Sequence, residues 1–325
     1  MPLKIEPLHP TFAARVSGVD FSKTIPVETL GAIKAAIAKY GVLVFPATGL
    51  DDKRHVAFAE HFGELERRKD TGAQSRLKLP ELTDQGNIDA SGNIIGSADP
   101  RAQISKDLLR PSQGNTLFHV DSSFNAHRAS YSILLAHEIP PKGAGGNTDY
   151  ADTRTAWDEL PEPWKEELIN KKYVANHSFW HSRKTACPEF FAKLTPGSHP
   201  MSKHKIAQLH EPSGRMNLFV PSHCYHIDGL SEDEGREKLD FLYKHATQDK
   251  YVVSIPWIEV GDLLMWDNTC TLHRGTPVVG NHKRDMRRAT VLDNGAEAWG
   301  LNEKVETDFA FAPEVMADVF RSLSG

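Results

Sequence analysis

A mainly β chain with flanking helices (α+β), built on a sandwich or jelly-roll core, is what this 325-residue sequence predicts. Short apolar runs bounded by turn residues dominate the centre and the C-terminal half, at 131–139, 251–257, 262–266 and 289–292. Helical periodicity is confined to segments before and between those runs. There is no regular alternation of strand and helix, the mark of a parallel βαβ sheet. Length alone, at about 150 residues per domain, allows two domains or one unit with insertions.

The elements follow in order. Val27, Leu30, Ile33 and Ile37 recur at helical spacing behind Pro26, whose fixed φ suits a first helical turn, so a helix is predicted to about Tyr40. The apolar run 41–45 follows as a strand. A second helix starts near Asp51 and turns Val56, Ala59 and Phe62 inward. Residues 84–115, rich in Gly, Asn, Asp and Ser, lack a period and predict a long loop, which in compact enzymes is usually functional or disordered. From Thr116 the texture is β-like. Pro140-Pro141 closes the 131–139 strand. Gly143-Ala-Gly145-Gly146 reads as a turn before another strand, since no Lys-Ser/Thr follows to make a phosphate cradle. Helices are expected over 153–160 and 162–171. The segment 176–210 holds four prolines and glycines, many basic residues and no clean period, and predicts an inserted loop or lid. Ser231-x-x-Glu234 has the capping-box form and opens a helix to roughly His245.

Charge excludes several functions. Lys and Arg number 38 against 43 Asp and Glu, a net charge of −5, which argues against a polybasic nucleic-acid or membrane-surface protein. No run of about 18 apolar residues exists to span a bilayer, and the N-terminus lacks the apolar core of a secretory signal. Cys187, Cys224 and Cys270 are odd in number and widely spaced, so they read as reduced thiols of a cytoplasmic protein.

Sixteen histidines invite a search for metal ligands. The sharpest group is His119-x-Asp121 with a distant His273. On an extended strand His119 and Asp121 leave the same face. With a third imidazole they could cap one face of an octahedron and leave positions open for a co-substrate and O2. By itself an H-x-D pair is equally a chance surface pair. Beyond His273 come Arg284 and Arg288, which on a strand would share a face with Met286. Two guanidiniums near a metal make sockets for carboxylates, although an arginine-rich run can also be a solvated edge strand. His223 and His226 lack the second ligand pair of a structural zinc site and read as satisfied or solvent-facing. His177, Trp180, His181, Arg183 and Lys184 form a basic, partly aromatic cluster, either a lid over an anionic substrate or a solvated loop.

Taken together, His119-x-Asp121, Gly145-Gly-Asn-Thr148-Asp, Met265-Trp-Asp-Asn268, His273-Arg-Gly and Arg284-x3-Arg288-Ala-Thr resemble the taurine/2,4-dichlorophenoxyacetate dioxygenase (TauD/TfdA) family of Fe(II)/2-oxoglutarate oxygenases. The similarity spans roughly residues 3–295. His119-Val-Asp-Ser-Ser-Phe124 and Ser222-His-Cys-Tyr-His226 lean toward the 2,4-dichlorophenoxyacetate branch. The resemblance implies a double-stranded β-helix, or jelly roll, as one catalytic domain over 1–325. It implies Fe(II) on His119, Asp121 and His273, and 2-oxoglutarate on Thr148 and Arg284. Arg288 would meet an anionic group of substrate or co-substrate, and Asn115, Ser122 and Phe124 would line the substrate pocket. Phe118 stands where the family often has Trp. The implied reaction uses O2 to oxidise a C–H bond of a small anionic substrate, a carboxylate above all, and releases succinate and CO2. Desaturation or cyclisation would use the same ligands, and a non-oxidative metal-binding protein is the rival from another class. The family's habit implies a homodimer or homotetramer.

Overall fold

The computed structural model describes residues 3–68, 76–98, 115–305 and 309–324. Strands β1 (Lys4–Pro7) and β2 (Ala14–Ser17) precede helix α1 (Val27–Tyr40), β3 (Val42–Phe45), α2 (Asp52–Glu60) and β4 (Leu82–Asp84). Next come β5 (Ala129–Glu138), β6 (Thr148–Asp152), α3 (Thr153–Asp158), α4 (Glu162–Lys171), β7 (Val174–His177) and α5 (Phe179–Ala186). Then follow β8 (Ser202–Lys205), β9 (Ala207–His210), β10 (Arg215–Leu218), β11 (Cys224–Ile227) and α6 (Glu232–Ala246). The last described elements are β12 (Val252–Ile255), β13 (Leu263–Asp267), β14 (Thr271–Gly275), β15 (Asp285–Leu292) and α7 (Pro313–Ser324).

The main sheet runs β1-β2-β3-β13-β5-β15-β4, antiparallel except for the β2–β3 pair. A smaller sheet runs β12-β6-β14, and a third β11-β7-β8. Alternation along the main sheet sorts its two faces. Ile133, Leu135, Leu263, Met265, Ala289 and Val291 point one way, into a core shared with Ile33 and Ile37 of α1 and Val56 and Ala59 of α2. Leu134, Ala136, Leu264, Trp266 and Met286 point the other way and pack with Tyr150 and Ile255 of the smaller sheet. Arg288 pairs across from Leu134 and so belongs to this second face, as a cation on an otherwise apolar wall.

Local chemistry explains the ends of the elements. Gly41 closes α1 in the left-handed region at φ 68, where a Cβ would stand 3.0 Å from both the Arg154 guanidinium and the Thr271 methyl. Asp51 caps α2 by accepting from the Arg54 amide. The capping box at Ser231 and Glu234 is formed, worth about 1 kcal/mol to α6. Val27, placed on the apolar stripe of α1 by spacing, is 80% exposed: it sits in the first turn, ahead of the helix's contact with the sheet.

The segment 176–210 departs from the expected loop. It contains the end of β7, all of α5, a 3-10 turn at Pro196–Ser198, and β8 and β9. Pro188 and Pro200 fall in the connections, Pro196 and Gly197 form the 3-10 turn, and the strands are too short to show a period. Phe179, Trp180, Phe191 and Leu194 bury against Val315, Val319 and Leu323 of α7, so the segment is a packed layer. Of the loop expected over 84–115, residues 99–114 lie outside the described residues. The described remainder includes a bridge between Ile88 and Ile94.

Candidate metal centre and co-substrate cavity

His119 and His273 come from segments far apart in the chain and are joined by an isolated antiparallel bridge. His273 lies on β14 opposite Tyr150 of β6, and Thr148, two residues before Tyr150, shares its face. Their side chains therefore converge beneath the main sheet. The His119 and His273 rings are 4.3 Å apart, centre to centre, and His273 Nε2 is 3.7 Å from Asp121 Oδ2. One ligand atom from each of His119, Asp121 and His273 falls within 4.8 Å of the others, and all three residues are buried.

The surroundings prepare these groups for a cation. His119 Nδ1 lies 2.8 Å from the Leu117 carbonyl oxygen, which fixes the proton there and leaves Nε2 its lone pair. Asp121 Oδ1 accepts from Arg288 at 2.6 Å and Oδ2 from the Ser132 hydroxyl at 2.6 Å. Burial raises the Asp121 pKa, but Arg288, His273 and His119 outweigh it and hold the carboxyl at about 2. Burial pushes His273 down to about 4 and His119 well below its ordinary value. At neutral pH the group is thus one carboxylate and two neutral imidazoles, the protonation a divalent metal needs. His273 Nδ1 is buried without a hydrogen-bond partner among the described residues.

Asn268 holds the frame. Its Oδ1 accepts from the Asp121 amide at 3.0 Å and from Trp266 Nε1 at 3.1 Å, while its Nδ2 donates to the Ser130 carbonyl and the Ser132 hydroxyl. In the sequence Asn268 and Trp266 stand only as part of a motif, and Ser132 and Tyr150 belong to none. The one available signal was the two-residue spacing of Thr148 and Tyr150.

A cavity of about 140 Å³ opens beside His119 and His273, and its wall includes Asn115, Thr148, Arg284 and Arg288. Arg284 stands just before β15, with a register shift between Asp285 and Met286, so the expected shared face holds for Met286 and Arg288 and Arg284 reaches the cavity from the strand's threshold. Its backbone amide donates to Asn87 Oδ1 and its guanidinium to the Gln85 carbonyl. Burial lowers Arg284 to about 10, so it stays cationic at neutral pH. Thr148 Oγ1 accepts from Trp257 Nε1 at 3.3 Å. Gly145, at φ 88, could carry no Cβ, which would clash with the Pro277 carbonyl oxygen. Gly143, Gly145 and Gly146 all have positive φ, as the expected turn requires.

Ser122 and Phe124 are not part of that cavity wall. Ser122 sits at φ 56, and its hydroxyl points to Glu66 at 3.3 Å. Phe124 packs instead on Phe179, His223 and Phe311. His226 is half-buried beside Asp228, whereas His223 is buried, with its imidazole beside the Val120 backbone. A second cluster, His210, Asp267 and Cys270, also has metal-like spacing. His210 is bonded to Ser213 and Asp267, and Asp267 also to Thr269, so this cluster is a closed structural network.

A buried His–Asp–His group beside an arginine-bearing cavity, under a β-sheet, has the donor set of the class of three-ligand divalent-metal sites, next to cations that suit a small anion. The chain belongs to the taurine catabolism dioxygenase TauD, TfdA family, whose model matches residues 4–290. It is 36% identical over 294 residues to an alpha-ketoglutarate-dependent 2,4-dichlorophenoxyacetate dioxygenase of Burkholderia sp. (strain RASC), covering 90% of this chain and 95% of that one. It is 29% identical over 304 residues to an (S)-phenoxypropionate/alpha-ketoglutarate-dioxygenase of Sphingobium herbicidovorans, covering 91% and 97% of the two chains. Among solved structures, AAD-2 in complex with Mn(II) and N-oxalylglycine superposes with a TM-score of 0.77 at 33% identity, over 90% of this chain and 98% of that one.

Proposed function

We propose that the protein is an Fe(II)- and 2-oxoglutarate-dependent dioxygenase that oxidises an unactivated C–H bond of a small carboxylate substrate. The observation that carries this reading is the buried His119–Asp121–His273 group opening on a cavity walled by Thr148, Arg284 and Arg288. The three residues hold Fe(II): one ionised carboxylate and two neutral imidazoles suit a divalent cation and leave coordination positions open. Thr148 and Arg284 receive the distal carboxylate of 2-oxoglutarate. Arg288 keeps Asp121 ionised and lines the same cavity. Fe(II), 2-oxoglutarate and O2 together supply the oxidising power, with succinate and CO2 as co-products.

The two β-sheets facing across Trp266 and Tyr150 are read as a double-stranded β-helix, and residues 1–325 as one catalytic domain. The substrates named for the relatives, 2,4-dichlorophenoxyacetate and (S)-phenoxypropionate, are aryloxy carboxylates and set the class to test. Cys187, Cys224 and Cys270 are free thiols, in keeping with a cytoplasmic enzyme. The assembly is read as a homodimer or homotetramer, which light scattering measures directly.

The test is anaerobic addition of Fe(II) and 2-oxoglutarate to metal-free protein, followed by visible absorption. A charge-transfer band in the wild type, absent from His119→Ala, is expected. Admission of O2 with an aryloxyacetate then releases succinate. Folded protein that binds iron without developing the band would sink this reading.

A further inference from the structure

Asn87 is 3% exposed and stands in the wall of the co-substrate cavity with Gly96 and Arg284. The β4–β15 pairing runs on past the ends of both strands: the Gln85 amide donates to the Met286 carbonyl and the Asn87 amide to the Arg284 carbonyl, each at 2.9 Å. An antiparallel pair of this kind ordinarily exchanges a second hydrogen bond, from the Arg284 amide to the Asn87 carbonyl. Here that carbonyl accepts from the Ile95 amide at 2.9 Å instead, and the Arg284 amide donates to the side-chain Oδ1 of Asn87 at 2.7 Å. The Asn87 Nδ2 donates to the Gly96 carbonyl at 3.0 Å and to the His282 carbonyl at 2.9 Å. One side chain thus ties together the segments 85–87, 95–96 and 282–284.

The chemistry of these contacts admits few substitutes. The Gly96 and His282 carbonyls can only accept and the Arg284 amide can only donate, so the side chain between them must offer one acceptor and two donors, which is a carboxamide. Arg284 precedes β15, and its guanidinium donates to the Gln85 carbonyl at 2.7 Å. Both ends of the arginine, amide and guanidinium, therefore lean on the segment 85–87. A buried cation held in this way keeps its direction only while Asn87 holds the two segments together.

We propose that Asn87 is a positioning residue for the co-substrate: standing in for a backbone acceptor, it fixes Arg284 at the angle at which the guanidinium meets the distal carboxylate of 2-oxoglutarate. The inference rests on the oxygenase reading, in which Thr148 and Arg284 receive that carboxylate. The polar atoms of the Asn87 side chain are already engaged by Arg284, Gly96 and His282, and among the described residues they bond to none of His119, Asp121 and His273. Its effect therefore passes through Arg284 and is confined to ligands that carry a second carboxylate.

The test compares 2-oxoglutarate with 2-oxovalerate, a 2-oxo acid of the same chain length without the distal carboxylate, by calorimetric titration of anaerobic protein loaded with Fe(II). The wild type is expected to bind 2-oxoglutarate more tightly. Asn87→Ala should weaken 2-oxoglutarate about tenfold, as loss of one charge-assisted contact does, and move 2-oxovalerate less than about twofold. The Kd for Fe(II) should stay unchanged. In air the KM for 2-oxoglutarate should rise by the same factor, with kcat at saturation within about twofold of the wild type. Arg284→Met should show the same selective loss, and adding Asn87→Ala to it should cost nothing further, as expected where one residue acts through the other. Asn87→Ser, whose single hydroxyl cannot replace an acceptor and two donors, takes over if the alanine variant does not fold, with the same outcomes expected. An Asn87 variant that keeps the wild-type preference for 2-oxoglutarate, or weakens both acids equally, overturns the proposal, as does a further loss in the Arg284→Met background. Failure of the oxygenase reading looks different: the Fe(II)-loaded wild type would develop no visible band with either acid and release no succinate.

Discussion

His119 and His273 exchange both backbone hydrogen bonds, each amide donating to the other's carbonyl at 2.9 Å. The bridge is isolated, with no regular strand around His119, yet it sets the two rings 4.3 Å apart. Because the backbone makes this contact, the side chain of His119 can be removed without breaking it. His119→Ala should therefore fold while losing its metal. Fe(II) added without O2 should raise the Tm of the wild type by preferential binding to the folded state and leave that of the variant unmoved. Equal shifts in both would show that the metal sits elsewhere.

Asn268 is a positioning residue whose effect passes through Asp121. Its side chain makes four hydrogen bonds in a site 1% exposed. Asn268→Ala leaves the Asp121 amide and the Trp266 indole without their acceptor, at a cost of about 2–3 kcal/mol in folding. The Asp121 carboxylate then loses one of its props. Urea denaturation should report the lower stability, and Fe(II) affinity should fall with it. Undiminished affinity in a folded variant would mean that Ser132 and Arg288 suffice to hold Asp121.

The legible parts of this site were those written as chemistry in the chain itself. His119-x-Asp121 has the two-residue spacing of one strand face, and the arginines four apart fall in or beside β15. Asn268, Ser132 and Tyr150 were not legible, because each acquires its role only through register with distant strands: Tyr150 faces His273, and Ser132 pairs with Trp266. The 176–210 layer was misread for a related reason. β7 finds its partners at β8 and β11, and four-residue strands carry no period to detect. Helix α7 did leave a signal that went unused, the spacing of Val315, Val319 and Leu323 at every fourth residue, all buried.

Buried histidines outside the metal group set an acid limit on stability. Burial pushes His55 down to about 4 and His177, which also feels Arg128, down to about 3. Both lie below the ordinary value of 6.5, so between that value and their folded pKa the unfolded chain holds protons that the folded chain does not. Stability is then complete above about pH 6.5 and falls as the pH drops toward 4, by up to about 1.4 kcal/mol per pH unit for each such histidine. Urea denaturation of metal-free protein at about pH 7.5, 6 and 5 should follow that decline. A flat profile would mean that these rings are protonated in the folded protein.

Arg284 separates charge from geometry. Its guanidinium is buried, donates to the Gln85 carbonyl, and shares a wall with Thr148. Lysine would keep the charge but present a single ammonium where a planar fork stood. A carboxylate held by two parallel N–H donors would lose one of them, worth about tenfold in affinity. Arg284→Lys should therefore raise the KM for 2-oxoglutarate by about that factor, with the KM for the aryloxy acid little changed, because Arg284 shares the cavity wall with Thr148, the other residue proposed to receive the co-substrate. Steady-state kinetics with each substrate varied in turn decides it. A rise in the aryloxy acid's KM with that for 2-oxoglutarate unchanged would move Arg284 to the substrate and require another cation for the co-substrate.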